Sequence, residues 1–228
     1  MTIGSYAFCN DTALNNLVIP SGVTTLGNYA FSNCTGLTKL SVPATVTSMS
    51  EYTFNGIGAT TVGPAGGGYG YEYGWTGNIP NYAFSRMTKL TNATVSGVTG
   101  IGSNAFRYCT ALTTVSVGSG VTTIGSYAFY YCSKLESVSL PSTLLTIDAY
   151  AFYGNSVLNN VNIPSGVTSL GNYAFAYCTG MNKISIPDSV TSISTSAFNG
   201  SSNVVIYCSS TSYAAEYAQT KGIAYVIQ

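Results

Sequence analysis

The chain has 228 residues with seven Lys or Arg against seven Asp or Glu, so its formal net charge is zero and only 6% of it is charged. Seven scattered cations do not supply the cluster that displaces counterions from nucleic acid, and the absence of His excludes Ser-His-Asp triads, Cys-His pairs and His-ligated zinc. No apolar run approaches the roughly 18 residues of a spanning helix, so no membrane insertion is expected within this chain, and no signal peptide precedes its first motif.

Along the chain an Ala-Phe pair or a near variant recurs, with Phe8, Phe31, Phe54, Phe84, Phe106, Phe129, Phe152, Phe175 and Phe198 spaced by 23, 23, 30, 22, 23, 23, 23 and 23 residues. With Phe as position zero, the first unit places Leu14 at +6, Leu17 at +9, Ile19 at +11, Pro20 at +12, Val23 at +15, Leu26 at +18, Gly27 at +19 and Ala30 at +22. The unit from Phe152 fills the same slots with Leu158, Val161, Ile163, Pro164, Val167, Leu170, Gly171 and Ala174. Alternation across +9 to +11 predicts a short strand with one face buried, and Pro ends it because it has no amide hydrogen. Gly at +19 predicts a turn, and the Ala-Phe pair a compact segment, helical or irregular. One such turn closes no core, whereas stacked turns bury a continuous column.

The chain opens inside a repeat, with Ile3 in the +18 slot, which predicts either a longer parent or a first turn covered by a partner. The unit after Phe54 is seven residues longer than the rest, and its extra residues fall between Val62 and Ile79, an insertion at about 63–78. Its "GPAGGG" lacks the Lys-Ser/Thr ending of a phosphate loop. The next residues, "YGYEYGW", set Tyr69, Tyr71, Tyr73 and Trp75 on one side of a strand. Four exposed aromatics would form a large apolar patch, so most are expected to pack down, leaving Trp75 or Tyr69 partly exposed as a contact. After Val204 and Ile206 the tail reads as strand, short helix and strand, a cap over 204–228 that follows repeats over 1–203.

The stretches "LTKLSVPATVTSMSEYTF", "LNNVNIPSGVTSLGNYAFAYC" and "MNKISIPDSVTSISTSAF" resemble leucine-rich repeats of the BspA-like class, and the resemblance covers nearly the whole chain. It implies an α/β repeat fold: a right-handed solenoid with a parallel β-sheet on one face, short helical or irregular segments elsewhere and a C-terminal cap. It also implies an extracellular surface protein of gut or oral bacteria, or of some parasitic protists. Such a protein would mediate adhesion or macromolecular binding to a protein or glycan on a host or neighbouring cell. The alternative is a structural subunit that binds copies of itself, end to end, as a fibre or surface layer.

No catalytic residue, cofactor or metal site is expected. The seven carboxylates lie in different repeats, so no facing pair can be read. Cys34, Cys109, Cys132 and Cys178 share the +3 slot without any Cys-x-x-Cys, and buried free thiols are favoured over a Cys109–Cys132 disulfide. Two columns are binding candidates. One is the free face of the sheet, with Asn16, Lys39, Asn92, Thr114, Asn160 and Lys183 at +8. The other is a tyrosine strip at +21, with Tyr6, Tyr29, Tyr52, Tyr82, Tyr127, Tyr150 and Tyr173.

Overall fold

A short apolar–polar–apolar run that ends at Pro can pair only over three or four residues, so each unit bends into a turn and leans on its neighbours. The computed structural model describes residues 1–228, and its turns stack with like side on like side. The first side is a row of parallel strands. In spatial order these are Asn16–Val18, Lys39–Val42, Tyr71–Tyr73, Thr61–Pro64, Asn92–Val95, Thr114–Val117 and Ser137–Ser139. A second group holds Asn160–Asn162, Lys183–Ser185, Val205–Cys208 and Ala224–Ile227. The register is strict: Leu17, Leu40, Tyr71, Val62, Ala93, Val115 and Val138 form one inward line. A second side carries two-residue strands, from Thr2–Ile3 to Thr25–Leu26 and then from Asn78–Ile79 to Ser192–Ile193.

The Ala-Phe segments make the third side, and they are not helical. The residue two after Phe takes left-handed backbone in every unit, as Tyr131 does (φ 54°), and the residue two before it in seven of the nine, as Tyr127 does (φ 60°), Tyr52 and Ser196 being the exceptions. Thirteen non-Gly residues do so, nine of them Tyr. Left-handed backbone costs an L-residue about 1–2 kcal/mol, and here it turns alternate amides along the stack. Thus Asn104, Phe106 and Tyr108 donate N–H bonds of 2.9, 2.8 and 2.8 Å to the carbonyls of Ser126, Ala128 and Tyr130 in the next turn. A right-handed helix would point those amides back at its own carbonyls and leave the turns unjoined.

Gly at +19 serves close approach rather than a turn. A Cβ on Gly171 would stand 2.8 Å from the Ala149 amide nitrogen, and one on Gly125 2.9 Å from the Ile101 carbonyl oxygen. The +3 slot also has a clearer role than core filler. Cys34, Cys109, Cys132 and Cys178 each donate Sγ–H to the carbonyl of the preceding turn's Phe, at 2.9 to 3.1 Å. The Asn155 amide and the Ser201 hydroxyl do the same at 3.1 and 2.7 Å. All six cysteines are free, Cys109 and Cys132 included.

Inside, the Phe rings form a ladder: Phe106, Phe129, Phe152 and Phe175 stack at 5.0 to 5.2 Å. At one end Tyr217, on the helix Tyr213–Lys221, leans on Phe198 at 6.1 Å. That helix starts at a Ser212 side-chain cap and stops at left-handed Gly222. At the other end Phe8 and Val18 are exposed.

The insertion departs most from expectation. Its strand Tyr71–Tyr73 is wedged between Lys39–Val42 and Thr61–Pro64, ahead of its place in chain order. Tyr71 enters the Phe ladder edge-on, 5.3 Å from Phe54 and 4.9 Å from Phe84. On the Ala-Phe side the wedge opens the stack, leaving one backbone bond across it, from Gly56 N–H to the Arg86 carbonyl at 3.2 Å.

Candidate functional site

The outward face of the first side brings the +8 candidates into line. Asn16 pairs in register with Lys39, Asn92 with Thr114, and Asn160 with Lys183. Asn16, Lys39, Asn92, Thr114 and Asn160 are exposed. Thr114 Oγ1 donates to Asn92 Oδ1 at 2.6 Å, and the Lys183 ammonium sits over the Tyr207 ring at 4.5 Å, so those side chains are already engaged.

Between Asn16–Lys39 and Asn92–Thr114 stands the loop of the insertion. Glu72 points outward from the wedged strand and accepts N–H bonds from Gly66, Gly68 and Tyr69 at 3.1, 2.7 and 3.1 Å. Those bonds hold its carboxyl below the usual range, with a further lowering from Lys39. The clasp folds the Gly-rich loop onto the sheet and lays the Tyr69 ring on Gly63, where any Cβ would collide with it. Asn16, Lys39, Leu40, Ser41, Tyr69 and Glu72 then line a shallow pocket of about 300 Å³.

Three candidates leave the surface. Tyr71, Tyr73 and Trp75 are buried, so they offer no contact to a partner. Tyr73 donates its hydroxyl to the Ser96 carbonyl at 2.9 Å, and Trp75 Nε1 donates to the Val46 carbonyl at 2.7 Å. Of Trp75 and Tyr69, either of which was expected to stay partly exposed, Trp75 plugs the gap opened by the wedge and Tyr69 is the one left half-exposed. The strand begins at Tyr71, so the alternation does not reach back to Tyr69, which lies on the opposite face and half-exposed.

The +21 strip is two strips. Tyr6, Tyr29 and Tyr52 stack at 5.0 and 4.7 Å, and Tyr127, Tyr150 and Tyr173 at 4.6 and 4.9 Å. Tyr82 between them is half-buried against the core. The interruption is bridged by Arg86, whose guanidinium lies 4.6 Å from the Tyr52 ring and 4.5 Å from Tyr108 while Nε donates to Glu51 at 2.8 Å. Arg107 continues the bridge over Tyr108 and Tyr130 at 5.0 and 5.2 Å. Beside the second strip, Tyr108, Tyr130, Tyr131, Tyr153 and Tyr177 widen it into a sheet of rings. None of these five tyrosines was a candidate from sequence, although "AFRYC", "AFYYC", "AFYGN" and "AFAYC" carry the signal in the two positions after Phe.

Chemically these surfaces suit recognition. Glu51 is committed to Arg86 and Glu72 to backbone amides, so neither is poised to transfer a proton. Burial pushes the Cys178 thiol up to about 12, and those of Cys109 and Cys132 well above the ordinary range, which leaves no nucleophilic thiolate at these positions. Burial and then the neighbouring phenols raise Tyr150 and Tyr153.

The BspA type leucine rich repeat region, as a sequence family, matches residues 1–63 and 77–205 in six copies, with the break falling on the insertion. No curated protein matches the chain. A leucine-rich repeat protein from Bacteroides ovatus ATCC 8483 is similar in structure, with a TM-score of 0.60 and 23% identity over 91% of this chain and 58% of that one. The T. pallidum Leucine Rich Repeat protein gives 0.59 and 21% over 99% and 89% of the two chains. A leucine rich cell surface protein from Faecalibacterium prausnitzii A2-165 gives 0.50 and 22% over 98% and 85%. At these identities the likeness is one of fold, and the chain spans 58% of the B. ovatus protein's length.

Proposed function

The chain belongs to the BspA type leucine-rich repeat family, and from that premise we propose that it is a non-enzymatic, extracellular surface protein that binds a protein or glycan on a host or neighbouring cell. The observation that carries this reading is the Glu72 clasp. Three backbone amides gathered on one carboxylate hold the loop in place, and the clasp fixes Tyr69 beside Lys39 and Asn16 on an otherwise flat polar face. Pre-organised aromatic and hydrogen-bonding groups lower the entropy lost on association. A surface location is supported by the F. prausnitzii relative, described as a cell surface protein. No helix of the chain is long and apolar enough to cross a membrane. Residues 204–228, with the helix packed on Phe198, act in this reading as the cap of the repeats over 1–203.

The test is to incubate labelled protein with arrays of immobilised glycoproteins and free glycans. Binding is expected, and Lys39→Ala with Tyr69→Ala should weaken it about tenfold or more. Unchanged binding by the double variant would move the site off this face. A second reading, end-to-end assembly, is favoured by the edge strand Ala224–Ile227, where Tyr225, Val226 and Ile227 are exposed. Light scattering that reports monomers at all concentrations would remove it.

A further inference from the structure

The position two residues after each Phe is left-handed in every unit, and glycine is the residue such backbone favours. Gly56, Gly154 and Gly200 occupy it, so the fold accepts glycine there. Tyr131 and Tyr177 nevertheless hold the same slot at φ 54° and 55°, alternating with Gly154 and Gly200. A bulky residue kept in unfavourable backbone where glycine would serve points to a use for its side chain.

The rings show what the alternation provides. A Cβ on Gly154 would stand 3.1 to 3.2 Å from three ring carbons of Tyr131, and one on Gly200 2.8 to 3.2 Å from three of Tyr177. Near-equal distances to three atoms mean that each glycine lies under a ring face. Each Tyr thus rests one ring face on the next turn and stays partly open to solvent, 40% for Tyr131, which Tyr108 flanks at 5.8 Å from the preceding turn, and 45% for Tyr177. Tyr153 leans between them at 5.6 and 5.1 Å. The two platforms are two turns apart, roughly 10 Å at about 4.8 Å per turn.

The surroundings are polar and almost uncharged. In the segments 130–134, 153–157, 177–181 and 199–203 the only charged residue is Lys134, among Ser133, Ser156, Thr179 and Ser202. With Lys134 at one edge and the Arg107 guanidinium 5.2 Å from the Tyr130 ring as the nearby charges, these segments carry no carboxylate to hold a cation and are dominated by hydroxyls and rings. Such a surface matches a ligand that combines flat C–H faces with many hydroxyls. We propose that Tyr131 and Tyr177 form a stacking platform for an extended, uncharged, β-linked polysaccharide. In such a chain equatorial linkages keep the sugar rings flat and turn alternate residues to the same side. Tyr131 and Tyr177 then stack under every second sugar, while the hydroxyls of Tyr153 and the serines take its polar edge. The proposal rests on the reading of the chain as a surface binding protein and adds a second site, on the Ala-Phe side.

Affinity electrophoresis of the full chain through gels holding mixed-linkage β-glucan, xylan or α-linked dextran tests it. The β-linked polymers should retard the protein and dextran should not. Tyr131→Gly and Tyr177→Gly, placed where the fold already uses glycine, should each weaken retardation roughly five- to tenfold, and the double variant should abolish it with an unchanged melting curve. The proposal is overturned if neither β-linked polymer retards the wild type, if dextran retards it equally, or if the double variant migrates like the wild type. It is also overturned if the double variant instead loses binding to a proline-rich peptide. The array assay on the same double variant separates the two readings. Array binding that survives while wild-type retardation is absent defeats the platform alone, and absence of both defeats surface binding itself.

Discussion

Between Phe106 and Phe129 the Ala-Phe side is joined by three backbone hydrogen bonds and by rings stacked 5.0 Å apart, whereas between Phe54 and Phe84 one backbone bond remains. Where the ladder is complete, the main chain joins the turns and side chains need only fill space. Where the wedge opens it, specific side chains take over: Tyr71 fills the ring column, Trp75 reaches the Val46 carbonyl, and Arg86 ties Glu51 and two tyrosines together. The regular turns are tolerant in composition. The wedge is not.

The harshest way to break that contrast is to remove residues 64–76. If the insertion were a surface loop, the solenoid would fold without it at modest entropic cost. Since Tyr71, Tyr73 and Trp75 are core residues, each worth about 3–5 kcal/mol against a total stability of about 5–15 kcal/mol, the shortened chain should show no cooperative urea transition. A wild-type-like transition would make the wedge dispensable. Next in size, Phe129→Ala and Tyr71→Ala should each lose about 3–5 kcal/mol, with Phe129→Ala at the upper end because the backbone ladder on both sides of it holds its cavity open; chemical denaturation of both variants decides the order.

Arg86→Ala, which leaves Glu51 only its longer 3.8 Å contact to Arg107 and unstacks two rings, should cost about 1–2 kcal/mol, and a loss within error of zero would mean that the single backbone bond suffices. Tyr71→Phe carries the opposite sign. The buried Tyr71 hydroxyl has no hydrogen-bond partner, so its removal should stabilise the protein by about 1 kcal/mol, visible as a higher melting temperature. The smallest effect concerns the clasp. Glu72 has a lowered folded-state pKa, so its contribution is complete above the ordinary glutamate value of about 4.3 and is lost as pH falls through the lower folded value. Amide exchange at Gly66, Gly68 and Tyr69 should quicken in that acid window, and Glu72→Gln should exchange fast at every pH.

Much of the stack was legible because every buried slot repeats: Phe152, Leu158, Val161 and Ile163 mark the same places as Phe8, Leu14, Leu17 and Ile19. The wedge was not. Strand order is a property of pairing, and nothing in "YGYEYGW" says that Tyr71 pairs with Leu40 on one side and Val62 on the other. The line Asn16, Lys39, Asn92, Thr114, Asn160 follows from alternation alone. The ring sheet around Tyr131 does not, because left-handed Tyr is disfavoured and the ladder of amides that requires such backbone leaves no mark on the residue pattern.

The slot three residues after Phe bears on how such a chain grows in a lineage. Thiol, amide and hydroxyl all reach the same carbonyl there, so a regular unit copied or lost in tandem meets a neighbour it can join without compensating change. The units flanking the wedge carry Ile57 and Met87 in that slot, and neither can donate. With a strand seated out of chain order as well, the 30-residue unit is not a module that duplication can multiply. Length can vary on either side of it, and the wedge stays a single landmark from which the turns are counted.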